Sequence, residues 1–141
     1  MANRYGEAAL IAAHPDKHHP KATPLDRWNV ATKQLYPTSP TQQRKGGPRG
    51  AFLGLCEEGL VKRIVPGSYS AQRIHKDYAV QAAHLLLEGA AASVNGLWRA
   101  VADDPETPHT SQMDVVLALW KNGYIVGSDK TKSAAQKETT T

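Results

Sequence analysis

The sequence predicts an all-α fold of about six helices, arranged as two three-helix units that resemble helix-turn-helix modules, with at most short strands near residues 60–65 and 124–126. Three observations predict it. Apolar and alanine residues recur at helical spacing rather than in alternation. Glycines stand directly after two of the most apolar periodic segments, where helices close. The chain can also be written against itself, so one helical unit serves twice.

The elements follow in order. The first helix of each unit is expected over about 4–14 and 72–88, on alanine-rich periodic patterns. Pro15 stops the first copy, because a residue before proline is pushed out of the helical region. The second helices are expected over about 24–35 and 96–102. Thr23 supplies a cap, Pro24 the first helical position and Asp26 an acid near the first-turn amides; Asn95 is the expected cap of the second copy. The third helices are expected over about 48–58, with Pro48 at the start, and 112–122, with Ser111 and Asp114 spaced as a capping box. They end at Gly59 and Gly123.

The internal match is gapless from Gly50–Val61 onto Asp114–Ile125. Leu53 falls on Leu117, Leu55 on Leu119, Gly59 on Gly123, and Leu60-Val61 on Tyr124-Ile125. Trp28 stands fourteen residues before Gln42, as Trp98 does before Gln112. Tyr5 with its alanines resembles Tyr78 with Ala79, Ala82 and Ala83. The first copy is six residues longer between its glutamine and its glycine, which makes residues 43–48 an insertion. The expected organisation is a compact helical domain over 1–126, with units of about 4–65 and 72–126, followed by a disordered polar tail over 127–141. The core is expected to include Trp28, Phe52, Cys56, Trp98, Leu119 and Trp120, with the helix at 112–122 the most buried element.

Composition narrows the function. The 141 residues are 40% hydrophobic, with 11 Gly and 9 Pro, enough for a core but too punctuated for a coiled coil. Seventeen Lys+Arg against thirteen Asp+Glu give +4, a mild excess that permits an anionic partner. One cysteine excludes an intrachain disulfide. No apolar run approaches the roughly 20 residues that span a bilayer, and the expectation is a cytoplasmic protein without membrane contact.

The run Arg49–Val61, with Tyr36–Ser39 before it and Ser111–Gly123 after it, resembles an uncharacterised bacterial family known only as a domain of unknown function. The resemblance spans roughly residues 5–126. It implies one compact domain and carries no activity, cofactor or catalytic residue.

No catalytic or metal site is expected, and no cofactor. Cys56 falls on Trp120 in the internal match, so its position calls for apolar bulk rather than a thiolate nucleophile. His14 is followed by Pro15, which breaks the face that an i, i+4 ligand pair needs, and no zinc-type spacing occurs. No nucleophile elbow, phosphate loop or dinucleotide fingerprint is present. The candidate contact residues are basic: Arg44, Lys45 and Arg49, then Lys62 and Arg63. No acid occurs from Leu35 to Cys56, and Gly46-Gly47 leads into a helix whose first amides favour phosphate. Two readings follow. The first is an interaction or structural protein working through a protein partner or self-association. The alternative is a nucleic-acid-binding module using the basic loop 43–49.

Overall fold

A computed structural model describes residues 4–69, 71–104, 106 and 111–127. Among these the chain is mainly helical: six helices of eight residues or more, one single-turn helix, and no strand. Helix α1 (Tyr5–Ala13) buries Tyr5, Ala8, Ala9, Ala12 and Ala13 and ends at His14, whose extended backbone (ψ 114°) precedes Pro15 as proline requires. A 3-10 turn, Pro15–Lys17, follows. Helix α2 (Pro24–Leu35) begins with a full capping box: Thr23 Oγ1 accepts from the Asp26 N–H and Asp26 Oδ2 from the Thr23 N–H, both at 3.1 Å.

Pro40–Gln43 forms the short helix α3, started by Ser39 as cap and Pro40 at its first turn. Helix α4 (Gly46–Glu57) starts two residues before Pro48. Helices α5 (Arg73–Leu87), α6 (Val94–Val101) and α7 (Gln112–Lys121) complete the set. Two caps differ from expectation. Ser93, not Asn95, caps α6, its Oγ accepting from the Gly96 N–H at 3.0 Å. Ser111 does not form a capping box with Asp114; it adopts a left-handed backbone (φ 72°) and makes no cap bond. The tail expected over 127–141 lies, from 128 on, outside the described residues.

Helices α4 and α7 close alike. Gly59 (φ 73°) and Gly123 (φ 79°) take the left-handed conformation that a side chain would strain. Leu60 N–H then bonds the Leu55 carbonyl at 3.0 Å, and Tyr124 N–H the Leu119 carbonyl at 2.9 Å. Instead of the short strands expected near 60–65 and 124–126, a single antiparallel bridge joins Val61 to Ile125. Lys62 N–H donates to Tyr124 O (2.8 Å) and Val126 N–H to Leu60 O (2.9 Å). The pairing stops there because Ile64 N–H turns back onto Val61 O and Pro66 follows.

One core cluster links all the long helices. Trp28, fully buried, stacks on Phe52 with ring centroids 5.4 Å apart, and Trp98 meets Tyr78 edge-on at 5.0 Å. The most buried helix is α4, not α7: nine of its twelve residues are buried, against six of ten in α7. Its glycines explain this. A Cβ on Gly54 would lie 2.6 Å from Lys76 Cβ, so α5 packs directly on the α4 backbone. Trp120, expected in the core, is only partly buried. It sits in the last turn of α7, and so large a ring is seldom covered completely at a helix end.

The last turn of α4 also holds the chain that follows it. The Glu57 carboxylate accepts from Tyr69 N–H (2.8 Å), Ala71 N–H (3.2 Å) and Lys76 Nζ (2.9 Å), and Lys76 also reaches Glu58 at 2.8 Å. Lys76 of α5 offsets the two acids at this helix end. Burial alone would raise the Glu57 pKa, but these three donors outweigh it and hold the carboxyl below its ordinary value of 4.5. Its contribution is therefore fully present above that value and is lost as pH falls through the lower folded one. Glu57→Gln is expected to cost about 1–3 kcal/mol at pH 7 and less at pH 3, measured by urea unfolding at both. An equal cost at both pH values would mean that the charge does not hold Tyr69 and Ala71.

Candidate functional site

The structure divides the five basic residues singled out from the sequence into two groups. Arg44 and Lys45 are exposed before α4, and Arg49 is half-buried one turn inside it. Lys45 and Arg49 are four residues apart and share a helix face. Lys62 and Arg63, both exposed, lie beyond the other end of α4, so about 18 Å of helix separates the groups. No described acid comes within ion-pair distance of any of the five. Glu57 and Glu58 are taken by Lys76, and Asp26 is spent on its cap.

The first group stands where three helices begin. Position 46, at the start of α4, faces Gln72 Oε1 and His75 Nε2 of α5. Gln112, the first residue of α7, donates its amide Nε2–H to His75 Nδ1 at 3.0 Å. None of these three helices has a side-chain cap, whereas α2, α3 and α6 are capped by Thr23, Ser39 and Ser93. First-turn amides without a side-chain cap give the starts of α4 and α5 a partial positive charge. Arg73 adds another cation here; its link to Asp77 is long, at 3.9 Å, and exposed to solvent. Since an amide nitrogen only donates, His75 Nδ1 accepts and the ring is neutral with its proton on Nε2. Burial lowers its pKa and keeps it so. The sequence carried the charges of this region; the meeting of residues 46, 75 and 112 depends on long-range packing that no local pattern encodes.

The second group lines a cleft of about 280 Å³ between the C-terminal turns of α1 and α7, with His14, Asp16, Asn122 and Tyr124. His14 Nδ1 accepts from the Asp16 N–H at 3.2 Å, which leaves Nε2 as the donor of the neutral ring. Asn122 spends its amide N–H on the Ala118 carbonyl at 2.9 Å. Arg63 has φ 66°, a left-handed backbone uncommon for a long side chain.

Cys56 is fully buried and burial pushes its thiol pKa well up, so it packs rather than reacts. Among the described residues no three His, Cys, Asp or Glu side chains gather as metal ligands, and no helix is long and apolar enough to cross a membrane.

Neither a curated protein nor a solved structure matches the chain. Residues 2–126 match the family described as "Family of unknown function (DUF6979)", and the chain belongs to that family.

Proposed function

We propose that this family member is a cytoplasmic binding protein that works through surface contacts with an anionic macromolecule, and that residues 43–49 form the core of its contact surface. The observation that carries this reading is the basic set Arg44, Lys45 and Arg49, with no ion-pair partner among the described residues, at the start of α4 beside the start of α5, neither of which has a side-chain cap. Cationic side chains and amide dipoles there add in the same sense. Helix α4 is buried on most of its surface, so it has no face to lay in a DNA groove. Contact with a phosphate backbone needs none. A nucleic acid is accordingly the favoured partner, and an acidic protein surface the second reading.

The test is binding to duplex DNA, single-stranded DNA and RNA at low salt. The wild type is expected to bind at least one of them, with affinity that falls as salt rises. Replacing Arg44, Lys45 and Arg49 together by Ala is expected to leave Tm unchanged and to reduce the salt slope by about three units. Wild-type protein that binds none of the three overturns the nucleic-acid reading in favour of the acidic protein.

We also read the chain as a duplicated unit. The Val61–Ile125 bridge joins residues that coincide in the internal match, and its two hydrogen bonds exchange under that match. Tyr5 bonds Gln42 (2.6 Å) as His75 bonds Gln112 (3.0 Å), each pair 37 residues apart. That supports Tyr5 corresponding to His75 rather than to Tyr78. Residues 43–48 are then an addition to the unit; Gly47 and Pro48 are buried in α4, which leaves the exposed Arg44 and Lys45 suited to a task other than folding.

A further inference from the structure

We infer that the cleft between the C-terminal turns of α1 and α7 is a binding site for a small organic oxyanion that also carries a hydrogen-bond donor, a hydroxyl or an amine. Three separate chain segments build it: residues 14–16, 62–63 and 122–124. Its volume, about 280 Å³, suits a small molecule rather than a polymer. The side chains supply opposite chemistries within one cavity. Lys62 and Arg63 bring two cations, and His14 brings a neutral N–H donor whose tautomer is set by the Asp16 backbone amide. Asp16 brings an acceptor of negative charge, yet it forms no ion pair with Lys62 or Arg63 among the described residues. Such an arrangement fits a ligand that places its oxyanion against the cations and its donor toward Asp16. Lys62, Arg63 and Asp16 together carry a formal charge of +1, which matches one carboxylate better than a phosphate dianion.

The backbone adds weight to the cavity. Arg63 holds φ 66° where glycine would rest more easily. A long cationic side chain at such a position gives the fold nothing that glycine would not give, which fits a use of the side chain in the cleft. Lys62 is likewise dispensable for folding through its side chain. Its structural bond is the backbone N–H to Tyr124 O, at 2.8 Å.

The experiment titrates the full chain with acetate, glycine and inorganic phosphate at constant ionic strength, following backbone amide NMR shifts. Glycine is expected to bind more tightly than acetate or phosphate, with shifts confined to residues 14–16, 62–63 and 122–124. Lys62→Ala and Arg63→Gly are each expected to weaken glycine binding about tenfold without lowering Tm. Asp16→Asn is expected to bring glycine down to the acetate level. Absence of localised shifts with all three probes overturns the proposal, as does unchanged glycine binding in the Lys62→Ala, Arg63→Gly double variant. Tighter phosphate than glycine binding overturns the assignment to a carboxylate. Because Arg44, Lys45 and Arg49 are untouched, either result leaves the macromolecular reading to its own test.

Discussion

Trp28→Ala is expected to cost about 3–5 kcal/mol, a large share of the roughly 5–15 kcal/mol that holds a domain of this size. Trp28 is 0% exposed and lies across Phe52, also 0% exposed, at the seam where α2 meets α4. Removing the indole opens a cavity against α4, the most enclosed helix, whose backbone is already pressed against α5 and cannot collapse into the space. The loss is one of volume, not of hydrogen bonding: Trp28 Nε1 is buried without a partner among the described residues. Trp28→Phe is therefore expected to retain most of the stability, since it deletes an unpaired N–H along with part of the ring. Urea unfolding of both variants checks this. A Phe variant as unstable as the Ala variant would show that the indole nitrogen is held after all.

The second large effect is expected at Gly54. In an isolated helix Ala is favoured over Gly by about 1 kcal/mol, so a free surface position would gain from Gly54→Ala. Here the new methyl would lie 2.6 Å from Lys76 Cβ and Cγ and 2.7 Å from its Cα. The obstacle is a helix backbone, which cannot rotate aside, so α4 and α5 must separate and the Lys76 pairs with Glu57 and Glu58 must lengthen. A net loss of about 1–3 kcal/mol is expected, as overpacking of a core costs. Denaturant midpoints measure it. A variant as stable as the wild type would mean that the two helices do not approach so closely.

Much of this architecture is written locally. Thr23, Pro24 and Asp26 fix the start of α2 because a cap, a preset φ and a first-turn acid act within four residues. Gly59 and Gly123 fix two helix ends by the same kind of local rule. Where two local candidates compete, sequence alone does not choose: Ser93 and Asn95 can both cap, and the chain uses the earlier one. Ser111 fails as a cap because its backbone is left-handed (φ 72°), outside the extended region from which a cap side chain reaches the first-turn amides. The internal match gave the slot shared by Cys56 and Trp120 its apolar character, but not its depth. Cys56 is enclosed by helices on several sides, and Trp120 stands at a helix end.

The candidate sites were legible to different degrees. Arg44, Lys45 and Arg49 fall within one acid-free stretch, and the structure keeps them together at one helix start. Lys62 and Arg63 extend the positive charge in sequence past Glu57 and Glu58, and helix α4 carries them to another place. There they meet His14 and Asn122, residues far away in the chain. Lys76, the partner of both acids at the end of α4, had no local signal either, because nineteen residues and a loop separate it from Glu57.

The contact between α1 and α7 has a consequence for how the chain folds. The start of the first helix rests on the last one, with position 6 facing Asp114 and Ala118. The buried alanines of α1 therefore gain part of their cover only when the final helix arrives. Contacts of such long sequence separation must repay the loss of chain freedom before they stabilise anything, and they slow folding relative to bundles of neighbouring helices. Docking of α4 on α5, separated by one loop, can come early, whereas seating α1 waits for α7. A chain cut short before residue 112 would keep α4 and α5 together but leave the alanine face of its first helix open to water.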